Sequence, residues 1–154
     1  MIGPGLHQGE TMRPPSIVRF DRLYLAAIAI GLVGSILEWP VTTARIASQP
    51  ETAALGGAAS AVAAAMLAVG TLLSLLLWYL AARRAVTVAK WVIVAFTAIS
   101  VVGLLLSIAN GYVLTDAAGI ARMVAVVLQV VATVNLFRPD AVAWFAPMGE
   151  GNDR

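Results

Sequence analysis

Cysteine is absent from the chain, which excludes thiol catalysis, disulfides and cysteine-based metal sites. Histidine occurs once, as His7 in a tail rich in glycine and proline, where an imidazole is usually solvated and inert. No metal role is expected of it. Charge is scarce too. Asp, Glu, Lys and Arg make up 12% of the 154 residues, against about a quarter in a soluble domain. No charge at all falls between Thr52 and Ala82, or between Trp91 and Thr115. A helix needs about 20 apolar residues to cross the hydrocarbon of a bilayer, and both stretches exceed that. With 60% hydrophobic residues and a mean hydropathy of +0.89, the chain reads as an integral membrane protein.

The formal charge of +2 does not indicate nucleic-acid binding, because the basic residues flank apolar runs instead of gathering on a polar face. Nine of the ten basic residues are arginine, and Ala, Val and Gly abound, a composition typical of a GC-rich bacterial genome. Bacterial inner membrane is therefore the expected location.

Along the chain, residues 1–15 lack apolar periodicity and are expected to form a disordered tail. Met12, directly ahead of Arg13-Pro14-Pro15, is a second candidate start. Ser16 suits the N-cap of a first span over about 16–39, since Pro40 disfavours helix at the residue before it. This span is followed by Glu38-Trp39-Pro40 and not by a small-x-small cleavage site, so it is expected to be retained and not removed as a signal peptide. A long loop over 41–58 leads to a second span near 59–82. A tight basic turn gives a third near 88–109, and Asn110-Gly111 marks the next turn. Asp116 is a good N-cap for a fourth span near 117–137. Beyond Pro139, "DAVAWF" suits a short interfacial segment, and 146–154 a loose tail. Residues 16–145 thus form one all-α domain, a four-helix antiparallel bundle.

Orientation follows from Lys and Arg. Arg13, Arg19, Arg22, Arg83, Arg84, Lys90, Arg138 and Arg154 fall on one side, and only Arg45 and Arg122 on the other. The richer side is expected to be cytoplasmic, together with both termini.

At about 100° per residue, Tyr24, Ala27, Gly31, Ser35 and Glu38 share one face of the first span. Ala59, Ala63, Met66, Gly70 and Ser74 share a face of the second, and Phe96, Ser100, Gly103 and Ser107 one of the third. Arg122, Gln129 and Thr133 cluster on the fourth. Helices in lipid associate through close packing at small residues and interhelical hydrogen bonds. The stripes are therefore expected to face one another inside the bundle, or to line a ligand pathway. Asn135 falls on the face opposite Gln129 and needs a partner, on another protomer or at a backbone carbonyl.

Charge spacing is more specific. Arg22 and Glu38 are 16 positions apart in the first span, and Arg122 and Arg138 are 16 apart in the fourth. Each interval rises about 24 Å, so with Arg22 and Arg138 at one interface, Glu38 and Arg122 match in depth at the other. With the first helix ending near Trp39, each charge also sits at the unfavourable end of its own macrodipole. A Glu38–Arg122 ion pair is expected, the alternative being that each side chain snorkels separately to the headgroups, with Arg122 meeting Asp116 or a lipid phosphate. With Gln129 and Tyr24 the pair forms the candidate site, either as a structural contact or as a polar pocket open to the outside. Asp21 and Asp140 are each expected to be neutralised by a neighbouring arginine. The hydroxyls of Thr71, Ser74, Thr97, Ser100 and Ser107 have no base beside them, and no metal spacing or phosphate loop occurs, so neither catalysis nor a cofactor is expected.

The stretches "RPPSIVRFDRLYLAAIAIGL", "ARRAVTVAKWVIV" and "LQVVATVNLFRPDAVAWF" resemble a group of small four-helix inner-membrane proteins of proteobacteria. The likeness covers most of residues 13–145 and is most specific at Arg13-Pro14, Leu23-Tyr24-Leu25, Ala89-Lys90-Trp91 and Leu136 to Ala141. That group carries no established activity, so the resemblance implies a topology only. The outline is also similar to that of small multidrug transporters, which have four helices and an essential acid in the first. Their acid lies at mid-membrane, whereas Glu38 lies at a span's end with no matching flanking motif, and no residue is carried over. The expected role is non-enzymatic, structural or accessory, in contact with membrane lipids, a second copy or a larger membrane complex. The alternative is a small transporter or outer-side ligand sensor using Glu38 and Arg122.

Overall fold

The computed structural model describes residues 13–111 and 116–145, and every regular element among them is helical. The helices are α1 (Pro15–Ser48), α2 (Pro50–Ala53), α3 (Gly57–Arg84), α4 (Thr87–Ala109), α5 (Ala117–Asn135) and α6 (Pro139–Trp144). Four of them, α1, α3, α4 and α5, are long and apolar enough to cross a membrane. The expectations for residues 1–12, His7 among them, and for 146–154 lie outside the described residues. Arg13 and Pro15 are not part of a loose tail: Arg13 pairs with Asp21 at 3.1 Å, and α1 starts at Pro15.

The first helix overruns its expected end. It continues through Pro40 to Ser48, 34 residues in all, about 51 Å long against about 30 Å of hydrocarbon. Pro40 withdraws one N–H from the ladder but does not stop it. Thr43 Oγ1 lies 3.1 Å from the Trp39 carbonyl and 3.0 Å from that of Pro40, donating a hydrogen bond into the proline turn. The expected 41–58 loop is therefore largely helical. It comprises the end of α1, the short α2, and a turn through Gly56 at φ +51° that opens α3. Thr52 ties this turn down by donating its hydroxyl to the Ile46 carbonyl.

Two other boundaries differ from expectation. Ser16 is not an N-cap; its backbone N–H lies inside the first turn and donates to Asp140 Oδ2 at 3.1 Å, so the cap comes from 124 positions away. α5 stops at Asn135, not Phe137, because Arg138 takes the extended conformation that a following proline imposes (φ −68°, ψ 150°). Asp116 does cap α5, accepting the Gly119 N–H at 3.0 Å. α3 and α4 are joined through Ala85, a non-glycine residue at φ +51°, with the Val86 N–H donating to the Leu80 carbonyl at 3.1 Å.

The core lies at one end, the end that carries Arg22, Arg83 and Arg138. There Ile17, Phe20 and Tyr24 of α1 meet Leu77, Ala81 and Ala82 of α3, with Ile93 of α4 and Ala132 of α5. Phe20 and Tyr24 stack at 5.1 Å. Away from this basic end the helices behave differently. α1 and α5 keep the most extensive contact in the molecule. Gly34 comes so close that a Cβ on it would lie 3.1 Å from Ala121 Cβ and 3.5 Å from the Ala118 carbonyl oxygen. α3 and α4 are left open: Gly70 and Gly103 have nothing within 4 Å of where their Cβ would be, and Met66 is 72% exposed. Mutual burial of all four stripes therefore does not hold. It holds between α1 and α5, through Gly31, Gly34, Ala118, Ala121 and Ala125, and fails over the far halves of α3 and α4.

Candidate functional site

Rising residue numbers on α1 meet falling numbers on α5: Gly31 faces Ala125, and Gly34 faces Ala121. That register sets Glu38 against Arg122. Arg122 Nη2 lies 2.5 Å from Glu38 Oε2, with the two side chains 48% and 30% exposed. The macrodipole contribution expected of Glu38 is absent. α1 runs ten residues beyond it, and the field of a helix end fades within its last turn. Direct attraction and a charge-assisted hydrogen bond account for the contact.

Beneath the pair lies a cavity of about 440 Å³ between the α1–α5 pair and α3, floored by Phe96 of α4. All four candidate residues, Glu38, Arg122, Gln129 and Tyr24, line it. Its hydroxyls on α1 and α3 are satisfied within their own turns: Ser35 donates to the Gly31 carbonyl, Thr71 to Leu67 and Ser74 to Gly70, at 2.8–3.0 Å. Tyr24 and Gln129 differ. Tyr24 is only 3% exposed, and neither its hydroxyl nor the Gln129 side-chain amide makes a hydrogen bond among the described residues. An apolar crevice of about 660 Å³ between α1 and α3 adjoins this cavity, sharing Leu32, Leu67 and Thr71 with it.

Deeper polar groups pair within the protein. Thr97 of α4 and Thr133 of α5 share a buried hydrogen bond of 2.9 Å. Asn135, the residue in need of a partner, donates to the Val131 carbonyl at 2.7 Å.

The basic end holds contacts that sequence reasoning missed. Asp21 accepts from Arg13, as expected of a neighbouring arginine, and also from Trp78 Nε1 at 2.6 Å, while the Arg83 guanidinium lies 5.8 Å from the Trp78 ring. Asp140 departs from expectation, because its partner is the first turn of α1 and not an arginine. Its contact with Ser16, through the backbone N–H, holds its carboxyl below the usual aspartate range. Lys90, read from sequence only as an orientation signal, is buried, with Nζ 4.2 Å from the Phe137 ring centroid and 5.4 Å from that of Phe145. A Lys-Trp pair at a span's start, with Phe137 and Phe145 at the same depth, was the available signal. Among the described residues, no three His, Asp or Glu gather in one place.

Comparison with family models, with curated protein sequences and with solved structures finds no match for the chain.

Proposed function

We propose that this chain is a non-enzymatic, structural or accessory protein of the bacterial inner membrane that packs against a second copy of itself or a larger membrane complex. It is read as an antiparallel four-helix bundle with its basic end and both termini in the cytoplasm, following the excess of Lys and Arg there. The observation that carries the reading is the contrast between two small-residue faces. The one on α1 is filled by α5, whereas Gly103 of α4 faces open space and Gly70 of α3 faces the open cavity, with no neighbour within 4 Å of either would-be Cβ. Apolar side chains there lose nothing by facing lipid. A glycine face gains close van der Waals contact only from another helix.

The absence of native cysteine makes the test direct. Gly70→Cys and Gly103→Cys, introduced singly in the full chain in native membranes, are expected to cross-link to a second copy or to a protein that also co-purifies in mild detergent. Val102→Cys, about 100° around α4 from Gly103, is the lipid-facing control. Equal behaviour at all three positions overturns the reading.

A second reading, a small transporter or sensor of an outer-side ligand, draws on the cavity that Glu38 and Arg122 both line. It requires Glu38→Gln to abolish a transport or response phenotype at unchanged expression.

A further inference from the structure

The unpartnered polar groups of the cavity lie deeper than the ion pair. Gln129 is seven positions beyond Arg122 on α5, about 10 Å further from the mouth, and the α1–α5 register puts Tyr24 about one turn deeper still. The Tyr24 hydroxyl and the Gln129 amide open onto the cavity with their hydrogen-bonding capacity unused among the described residues. Ser35, Thr71 and Ser74 in the same cavity donate instead to their own backbone. Neither Tyr24 nor Gln129 can reach its own carbonyl ladder in that way, and both line the open volume.

We propose that this cavity binds a neutral, lipid-soluble molecule whose carbonyl or hydroxyl group is held by Tyr24 and Gln129. Neutrality follows from the charges. Glu38 and Arg122 neutralise each other, and no other ionisable side chain lines the cavity beside Tyr24, so a charged group at that depth would find no counter-charge. The hydrogen-bonding pattern fits a small polar head, since the tyrosine hydroxyl donates and accepts and the amide offers two donors and an acceptor. Ile28, Leu67, Phe96 and Val126 supply the apolar wall for the rest of the molecule. The volume of about 440 Å³ falls within the range of small-molecule sites. Access is from the lipid, through the adjoining crevice between α1 and α3. Gly70 of α3 lines this cavity as well, so a helix packed on Gly70 and a bound ligand would compete for it, whereas Gly103 of α4 lies outside the lining and its cross-linking tests assembly separately.

The test is ligand-dependent thermal stabilisation of the full chain in lipid nanodiscs. The probes are 1-decanol, a decyl-substituted benzoquinone, decane and decyltrimethylammonium. Saturable stabilisation by decanol or the quinone, absent with decane and with the cation, is expected, and whichever of the two binds names the head group. Tyr24→Phe and Gln129→Leu should each weaken the apparent affinity about tenfold, the loss of one hydrogen bond. The unliganded unfolding temperature serves as the folding control. Stabilisation by decane equal to that by decanol, or unchanged affinity in both variants, overturns the proposal.

Discussion

Gly34 of the first span packs tightly against Ala121 of α5, leaving 3.1 Å between Ala121 Cβ and the place where a Gly34 side chain would begin. Backbone lies behind that contact on the same side, with the Ala118 carbonyl oxygen at 3.5 Å and the Arg122 nitrogen at 3.7 Å. Neither helix has a flexible side-chain end there that could move aside.

Gly34→Ala should therefore destabilise the protein by about 1–3 kcal/mol, the cost of overpacking a tight contact. Gly31→Ala is the matched control. Its new Cβ would sit 3.7 Å from Ala125 Cβ, an ordinary contact, and helix propensity favours the change by about 0.5–1 kcal/mol. Denaturant titrations of both variants in the same micelles should move in opposite directions.

The Glu38–Arg122 pair is half open to its surroundings, so its own contribution is set at about 1 kcal/mol or less. The larger effects come from reversing one charge. Glu38→Arg and Arg122→Glu should each lower the unfolding midpoint by placing like charges in contact, and the double exchange should recover most of the loss. A double variant no more stable than either single one would show that the two side chains do not interact.

How far these contacts can be read from sequence depends on which property sets them. The Glu38–Arg122 contact is legible because two 16-residue charge intervals define depth, and depth survives any change in helix ends. The dipole contribution is not legible, because α1 continues past Pro40 to Ser48 and does not end at Trp39. The face Tyr24, Ala27, Gly31, Ser35 and Glu38 follows from helical period, yet Gly34, between two members of that face, comes closer to α5 than Gly31 does. Period selects a face to within a turn and cannot say which of its residues the neighbouring backbone crosses. The Asp140 cap on Ser16 and the Trp78 bond to Asp21 span 124 and 57 positions, and no local pattern connects residues so far apart.

Asp140 confers a pH dependence with a defined sign. Its carboxyl titrates below its ordinary value because the Ser16 N–H favours the ionised form. That stabilisation is fully present above the unfolded-state pKa of about 3.9 and is lost as pH falls through the lower folded value. Asp140→Asn should flatten this acid limb while leaving the unfolding midpoint less changed at the acid end than at pH 7. Urea titrations across the acid range, wild type against variant, read the difference.

Ala85 occupies the left-handed region at φ +51°, where a Cβ costs roughly 1–2 kcal/mol. Ala85→Gly removes that strain and gives back part of the gain as unfolded-chain entropy. A net increase of about 0.5–1 kcal/mol is expected, measured as a higher thermal midpoint. A fall would mean that the Ala85 methyl is needed for the turn.

The largest interface in the molecule joins its first and last spans, and this imposes an order on biogenesis. When α1, α3 and α4 have been inserted, the Gly31–Gly34 face and Glu38 still lack the surface they will close on. Only the arrival of α5 supplies Ala118, Ala121, Ala125 and Arg122 together. A chain that stops before that point leaves Glu38 without Arg122 and the Gly31–Gly34 face uncovered.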